Sequence, residues 1–285
     1  MRNFCLALSA LVLSVSAHAA SVWQVSDGQN TFYIGGTLHL LSADDYPLPK
    51  AYDKAYEQSD ILVFETDMQA VSSAAFATKM MQQNMYTAGH SLADDLNEKT
   101  LQQLSDYLSK NGLPEAQLMQ LKPAMLGLTL TMLEYQKAGL TSQGVDAYYH
   151  TKAQQDGKAQ DWFETPDEQL SYITSMAEGQ EDEFVQYTLE DLAELGDLIT
   201  PLTRDWREGD VQGLYDLMIS DLTNRYPKVH DDLLVSRNNN WLPKLKALMQ
   251  TPETEFVLVG TLHLPGEDGV LAKLEKQGYA LKQLR

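Results

Sequence analysis

Residues 33–41 read "YIGGTLHLL", and residues 256–266, near the other end of the chain, read "FVLVGTLHLPG". The pentapeptide GTLHL therefore occurs twice, as Gly36-Thr37-Leu38-His39-Leu40 and as Gly260-Thr261-Leu262-His263-Leu264. Each copy follows an apolar run, "TFYI" or "FVLV", of the length and β-branched or aromatic character of a buried strand. Each is thus expected at the carboxyl end of a strand. Ligands of open α/β sheets bind outside those ends, at a topological switch point. If the two strands are neighbours, His39 and His263 converge on one crevice. Glycine at the head of each copy lets the backbone turn sharply or approach a ligand closely, which makes Gly36 and Gly260 candidate cofactor-binding positions. A lone GxxH is a weak motif. Two identical copies in matched contexts point to a shared site, with a structural duplication as the other explanation.

Working outward, "SVWQVSDGQNTFYIGGT" has the pattern of a β-hairpin turning at Asp27-Gly28. Pro47 and Pro49 open a helix that runs to about Gln58, and "ILVFETD", residues 61–67, is a short buried strand. Strand, helix and strand at this spacing form a βαβ unit and imply parallel pairing. From residue 69 to residue 249 nearly everything has helical period. Asn97 caps one helix that Gly112 ends, Pro123 opens another that stops at Gly139, and a third, opened near Gly144, closes at Gly157. Further helices are expected over 167–177, 180–195, 198–208, 211–223 and 228–249, with "KAQDWFET" a short strand among them. The chain end returns to strand ("EFVLVG"), helix ("GVLAKLEKQG") and strand ("YALKQL"). The expected class is α/β with α+β-like features: a mixed sheet built from both chain ends, 20–68 and 250–285, with a large helical insertion over 69–249, all in one domain.

Residues 1–19 have the order of a secretory signal peptide: Arg2, an apolar run over 4–15, and Ala17-His18-Ala19 as the cleavage site. A periplasmic location is expected, with no membrane span after cleavage. The single cysteine, Cys5, falls in that leader, so the remainder has no thiol, disulfide or thiolate metal site. Twenty-one Lys and Arg against 40 Asp and Glu give a net charge of −19, which repels phosphate backbones and argues against nucleic acid as a partner.

A glutamate directly after four apolar strand residues, as Glu65 is in "ILVFE", is costly to bury unless paired or metal-bound. Three strand ends would then supply His39, His263 and Glu65, a two-histidine, one-carboxylate set open to Zn²⁺, Mn²⁺ or Co²⁺ with a bound water as nucleophile. One histidine and the glutamate acting directly as base and orienter is the alternative. In "SRNNNW", Arg237 and Asn238 sit just inside a helix that also carries Leu233, Leu234 and Trp241. Arg237 either pairs with a surface carboxylate or reaches the site to orient Glu65 or hold an oxyanion. His90, His150 and His230 are expected in surface or capping roles, Glu181-Asp182-Glu183 on a solvated face, and the methionines from Met80 to Met85 in helix packing.

These residues resemble the TraB/GumN family, whose animal relatives include the Tiki proteases. The paired GxxH motifs are its signature, and Glu65 matches the family glutamate. Gly144, Asp146, Gly157, Lys158, Glu164, Thr165 and Gln169 match its GxD…A…GK…ET…Q segment, as do Trp206, Gly209 and Asp210, then Arg237, Asn238 and Trp241. The resemblance covers essentially the whole chain after the leader. It implies an α/β core with a helical insertion and metal-dependent hydrolysis. In the Tiki branch this is proteolysis of secreted substrates, so a peptide, or a small ester or amide, is the expected substrate. By carry-over, His39, His263 and Glu65 are the metal or catalytic positions, and Arg237 and Asn238 support them. The wider superfamily includes esterase-like and haem-binding relatives, so a metal-free esterase and a non-catalytic metal- or haem-binding protein stand as alternatives. Ala124 after the Lys-Pro of its helix, and the acidic stretch 178–196, depart from the family pattern.

Overall fold

A computed structural model describes residues 19–141 and 143–285 of the chain. The expected leader, apart from Ala19, lies outside the described residues. Six strands form one mixed sheet: β1 (Val22–Ser26), β2 (Thr31–Thr37), β3 (Ile61–Thr66), β4 (Ala159–Glu164), β5 (Glu255–Gly260) and β6 (Ala280–Gln283), in the order β4-β3-β5-β2-β1-β6. The first four in that order run parallel, and β1 is antiparallel to both β2 and β6. The β1–β2 hairpin turns where expected: the Asp27 carboxylate accepts the backbone N–H groups of Gln29 and Asn30, and Gly28 adopts φ 94°.

Strand β3 follows β2 through the helix Lys50–Glu57 and runs parallel to it, but the two do not pair. Strand β5, from the far end of the chain, lies between them and pairs with both. A local βαβ reading cannot see this, because the inserted strand is distant in sequence. Five strands come from the chain ends, and β4, from within the helical stretch, completes the sheet beside β3.

Each face of the sheet is covered by helices. On one face Tyr33, Leu62, Phe64, Phe256 and Leu258 pack with Ala51, Tyr52 and Ala55 of helix Lys50–Glu57 and with Tyr149 of helix Val145–Asp156. On the other face Ile34, Val63, Val257 and Val259 pack with Trp241 and Leu245 of helix Ser236–Leu248 and with Val270 and Leu274 of helix Val270–Lys276. The helix after β2 and the helix after β5 therefore lie on opposite faces, although β2 and β5 are neighbours. The crevice between their carboxyl ends is a topological switch point.

Helices form over the predicted stretches with their predicted caps. Asn97 accepts the Thr100 N–H, Pro123 is the first residue of Pro123–Lys137, and Gly157 closes Val145–Asp156 with φ 67°. The break expected near residues 196–197 is absent: Glu181–Glu208 is one helix with Pro201 inside it. Proline costs about 3 kcal/mol in a helix interior. Buried Phe184, Leu192, Leu195 and Trp206 anchor the helix on both sides of Pro201 and offset that cost. Two π-helical segments, Tyr215–Ile219 and Asp231–Val235, interrupt the helices expected over 211–223 and 228–249.

Candidate active site

Taken across the sheet, the carboxyl ends of β4, β3, β5 and β2 present Glu164, Glu65, Gly260 with His263, and His39 in that order. Gly36 pairs with Val259 and Thr37 with Gly260, so the two pentapeptides are adjacent but one residue out of step. Their backbones also differ. The first copy stays extended through Thr37, whereas the second turns at Gly260 into a 3-10 turn over Thr261–His263.

Arg237 joins the ends together. It starts the helix Ser236–Leu248, and its guanidinium lies 2.5 Å from Glu65 and 2.8 Å from Glu164. Its Nε donates to Glu164 at 2.9 Å, and Nη1 faces His263 Nε2 at 3.2 Å. Trp241 also donates to Glu164, at 2.7 Å. All three charged residues are buried, so each needs the others: an unpaired charge there would be severely penalised.

His263 is 4% exposed. Its Nδ1 lies 2.7 Å from Asn238 Oδ1, and the Asn238 amide nitrogen donates to the carbonyls of His263 and Asp268. That orientation leaves Asn238 Oδ1 as an acceptor, so Nδ1 carries the proton and Nε2 a lone pair toward Arg237 and Glu65, 3.8 Å from Glu65 Oε1. Burial pushes the His263 pKa down to about 3, against an opposing pull from Glu65. The ring is neutral.

His39 is different. Its side chain is 65% exposed, and its Nδ1 pairs with Asp146 Oδ2 at 3.1 Å. Asp146 raises its pKa to about 9, burial at the sheet end opposing. Water around the exposed ring screens the pair, and the upward direction follows from the contact itself. Gly144, at the cap of the Asp146 helix, lies so close to the backbone of Leu38 and His39 that any side chain there would collide with it.

Glu65 Oε1 accepts the Gly260 N–H at 2.6 Å, and Oε2 lies 3.5 Å from the Gln169 side-chain nitrogen. Burial pushes this carboxyl up, but Arg237, His263, His39 and the Gly260 N–H together outweigh it and hold it well below the usual range. Glu164 is raised, chiefly by burial. A Cβ on Gly260 would stand 3.2 Å from Glu65 Oε1, 3.6 Å from His263 Cδ2 and 3.8 Å from His39 Nε2. Its φ of −49° is open to any residue, so what glycine provides here is space between the three groups. Gly36 stands apart from that space. It packs beneath Thr261, and its carbonyl accepts the Trp206 Nε1–H and the Tyr52 hydroxyl.

The five predicted catalytic residues thus converge. Asp146 and Glu164 complete the cluster. The family-like segment contained both, but nothing in their spacing revealed that Asp146 would hold His39 or that Glu164 would share Arg237. His230, expected at the surface, is buried at 8% exposure, and burial lowers its pKa. His150 bonds Gln160, and exposed His90 pairs with Asp95.

The donor types fit a divalent cation: a carboxylate and two imidazoles, each with Nδ1 turned onto an oxygen of a supporting side chain. The 3.8 Å between His263 Nε2 and Glu65 Oε1 is within reach of one ion bound at roughly 2.0–2.2 Å from each ligand. Ligation through His263 would replace its contact with Arg237. Among the described residues, no group of three His, Cys, Asp or Glu side chains already stands in ligand geometry.

Of the cluster, His39, Arg237, Gly260 and His263 line a pocket of about 410 Å³. An α/β sheet with convergent titratable groups at its switch point, opening into one pocket, has the layout of a ligand-binding or catalytic protein. The chain belongs to the TraB/PrgY/gumN family, whose model matches residues 21–283. It is similar to the uncharacterized protein YbaP of Escherichia coli strain K12, with 26% identity over 255 residues, 84% of this chain and 86% of the relative. Its similarity to the YbaP of Shigella flexneri has the same extent. No solved structure shows a significant match to it.

Proposed function

We propose that the chain is a hydrolase of ester or amide carbonyls, the peptide bond being the amide that the family likeness favours. The observation that carries this reading is the convergence of His39, His263, Glu65 and Arg237 on the space beside Gly260, in the wall of a pocket. His39, charged and mostly in solvent, is placed to donate a proton to the leaving group or to hold the developing oxyanion. Glu65, ionised, is the proton acceptor for an attacking water, and neutral His263 turns its Nε2 lone pair onto Arg237. Arg237 fixes both and balances the negative charge of Glu65 and Glu164.

His39, His263 and Glu65 would hold a divalent Mn, Co or Zn ion. Bound there, it would supply Lewis-acid polarisation of the carbonyl and a more acidic water. The metal-free alternative draws its support from the Arg237–His263 contact, which occupies the lone pair that such an ion would need. The leader-like N-terminus is what supports export to the periplasm.

The test is hydrolysis of p-nitrophenyl esters and a fluorogenic peptide library by the purified protein, before and after EDTA and after return of Mn²⁺, Co²⁺ or Zn²⁺. Loss and recovery supports the metal-dependent hydrolase. Insensitivity to EDTA supports the metal-free one. Turnover of nothing, beside stoichiometric metal or haem, supports the binding protein.

A further inference from the structure

Away from the cluster, the pocket wall is almost wholly apolar. Leu128 and Met132 come from helix Pro123–Lys137, Ile199 and Leu202 from helix Glu181–Glu208, and Met218 and Leu233 from the two π-helical segments. π-Segments are rare in helices and concentrate at functional sites. Both of them here supply lining side chains to this one pocket. This apolar wall is not a sealed core, for it opens outward, and Leu128 is 40% exposed.

We propose that this pocket binds the hydrocarbon chain of an acyl ester or acyl amide, with the carbonyl delivered to the space beside Gly260. The inference rests on the hydrolase reading and names its substrate class. Two observations favour an alkyl chain over a peptide. A peptide carries a donor and an acceptor at nearly every residue, and each lost hydrogen bond in an apolar pocket is costly. Beyond the cluster, the wall offers few groups to meet them. Nor can a peptide pair with the sheet here: β2 and β5, whose ends meet the pocket, each have a strand on both sides. An alkyl chain needs no such partners. At roughly 30 Å³ for a water-sized group, the 410 Å³ volume takes on the order of ten methylenes.

The polar groups gather on one part of the wall, beside Gly260, where a carbonyl belongs. Thr37 and Thr261, the threonines of the two pentapeptides, line the pocket and have buried hydroxyls without a hydrogen-bond partner among the described residues. In the reaction, water adds to the acyl carbon and the C–O or C–N bond breaks. The products are a carboxylate with an alcohol and a released proton for the ester, or a carboxylate with an ammonium that keeps the proton for the amide.

The experiment measures displacement of a fluorescent dansyl-undecanoate from the purified protein by butanoate, octanoate and dodecanoate below their micellar concentrations. It also measures kcat/KM for the matching p-nitrophenyl esters. A buried methylene favours binding by up to about fourfold, so dodecanoate should bind roughly tenfold or more tighter than octanoate. Leu128→Asp, at a partly exposed position, and Met132→Asp should each remove most of that gain while the melting temperature shows the protein still folded. If dodecanoate binds and no ester is cleaved, the chain pocket stands and the hydrolase reading falls. If the esters are cleaved at equal kcat/KM and no alkanoate displaces the probe, the chain pocket falls and the hydrolase reading stands. Tighter displacement by an N-acetylated Leu/Val hexapeptide than by dodecanoate would also overturn the proposal.

Discussion

Thr37 of β2 pairs with Gly260 of β5, so the two copies of GTLHL stand side by side and one residue out of register. A one-residue offset in a sheet exchanges the faces that equivalent side chains address. Beyond the strands the backbones part, the second copy entering a 3-10 turn over Thr261–His263, and the two histidines reach the crevice in unlike states. His39 is solvent-facing and carboxylate-paired, whereas His263 is buried and amide-paired. One sequence word, read twice, yields a charged imidazole and a neutral one.

Gly260→Ala places a methyl group between Glu65, His263 and His39 at 3.2–3.8 Å. The backbone there accepts alanine, so stability should change by less than about 1 kcal/mol. Catalysis should fall by roughly a hundredfold, since a misplacement of about 1 Å costs that much. Steady-state kinetics beside a urea titration checks both. An active Gly260→Ala enzyme would mean that the reacting atom sits elsewhere.

Asp146→Asn should lower the His39 pKa from about 9 toward its ordinary 6.5, because the carboxylate is the main cause of the rise. The stability that this pair contributes is present in full below pH 6.5 and is lost as pH rises through about 9. Ring-proton NMR titration reads the shift directly. An unchanged midpoint would remove Asp146 from its assigned role.

Arg237→Met leaves Glu65 and Glu164 as buried neighbours without a cation. Breaking a buried pair this way costs roughly 3–5 kcal/mol. Adding Glu164→Gln should recover part of that loss by removing one of the two stranded charges. Chemical denaturation of the single and double variants tests it. Equal stability of Arg237→Met and the wild type would contradict the network.

His263 has a folded-state pKa of about 3 against 6.5 unfolded, so the unfolded chain binds the extra proton between those values. Stability from the neutral ring is complete above pH 6.5 and declines as pH falls toward 3. Between pH 6.5 and 5, above the ordinary carboxyl range, the melting temperature of the wild type should fall more steeply than that of His263→Gln. Parallel slopes would show that the ring titrates normally.

The strands, the caps at Asn97 and Pro123, and the convergence of His39, His263 and Glu65 were legible because each depends on local pattern or on one matched pair of words. The insertion of β5 between β2 and β3 was not, since a parallel partner far along the chain leaves no local trace. Helix Glu181–Glu208 ran through Pro201 because tertiary packing outweighed a local breaker. Asp146 and Glu164 could be matched to a family pattern, but their partners, His39 and Arg237, come from distant segments. Burial of His230 was likewise set by the elements folded over it.

The most direct test of a shared hydrolytic site is His39→Ala. The side chain is 65% exposed, so its loss costs the fold no more than its pair with Asp146, and the melting temperature measured beside the rate separates that loss from the chemistry. Ester or amide hydrolysis measured as kcat/KM should drop by roughly a hundredfold or more, the range of a lost proton-transfer group. A folded His39→Ala protein that hydrolyses at the wild-type rate would contradict the account.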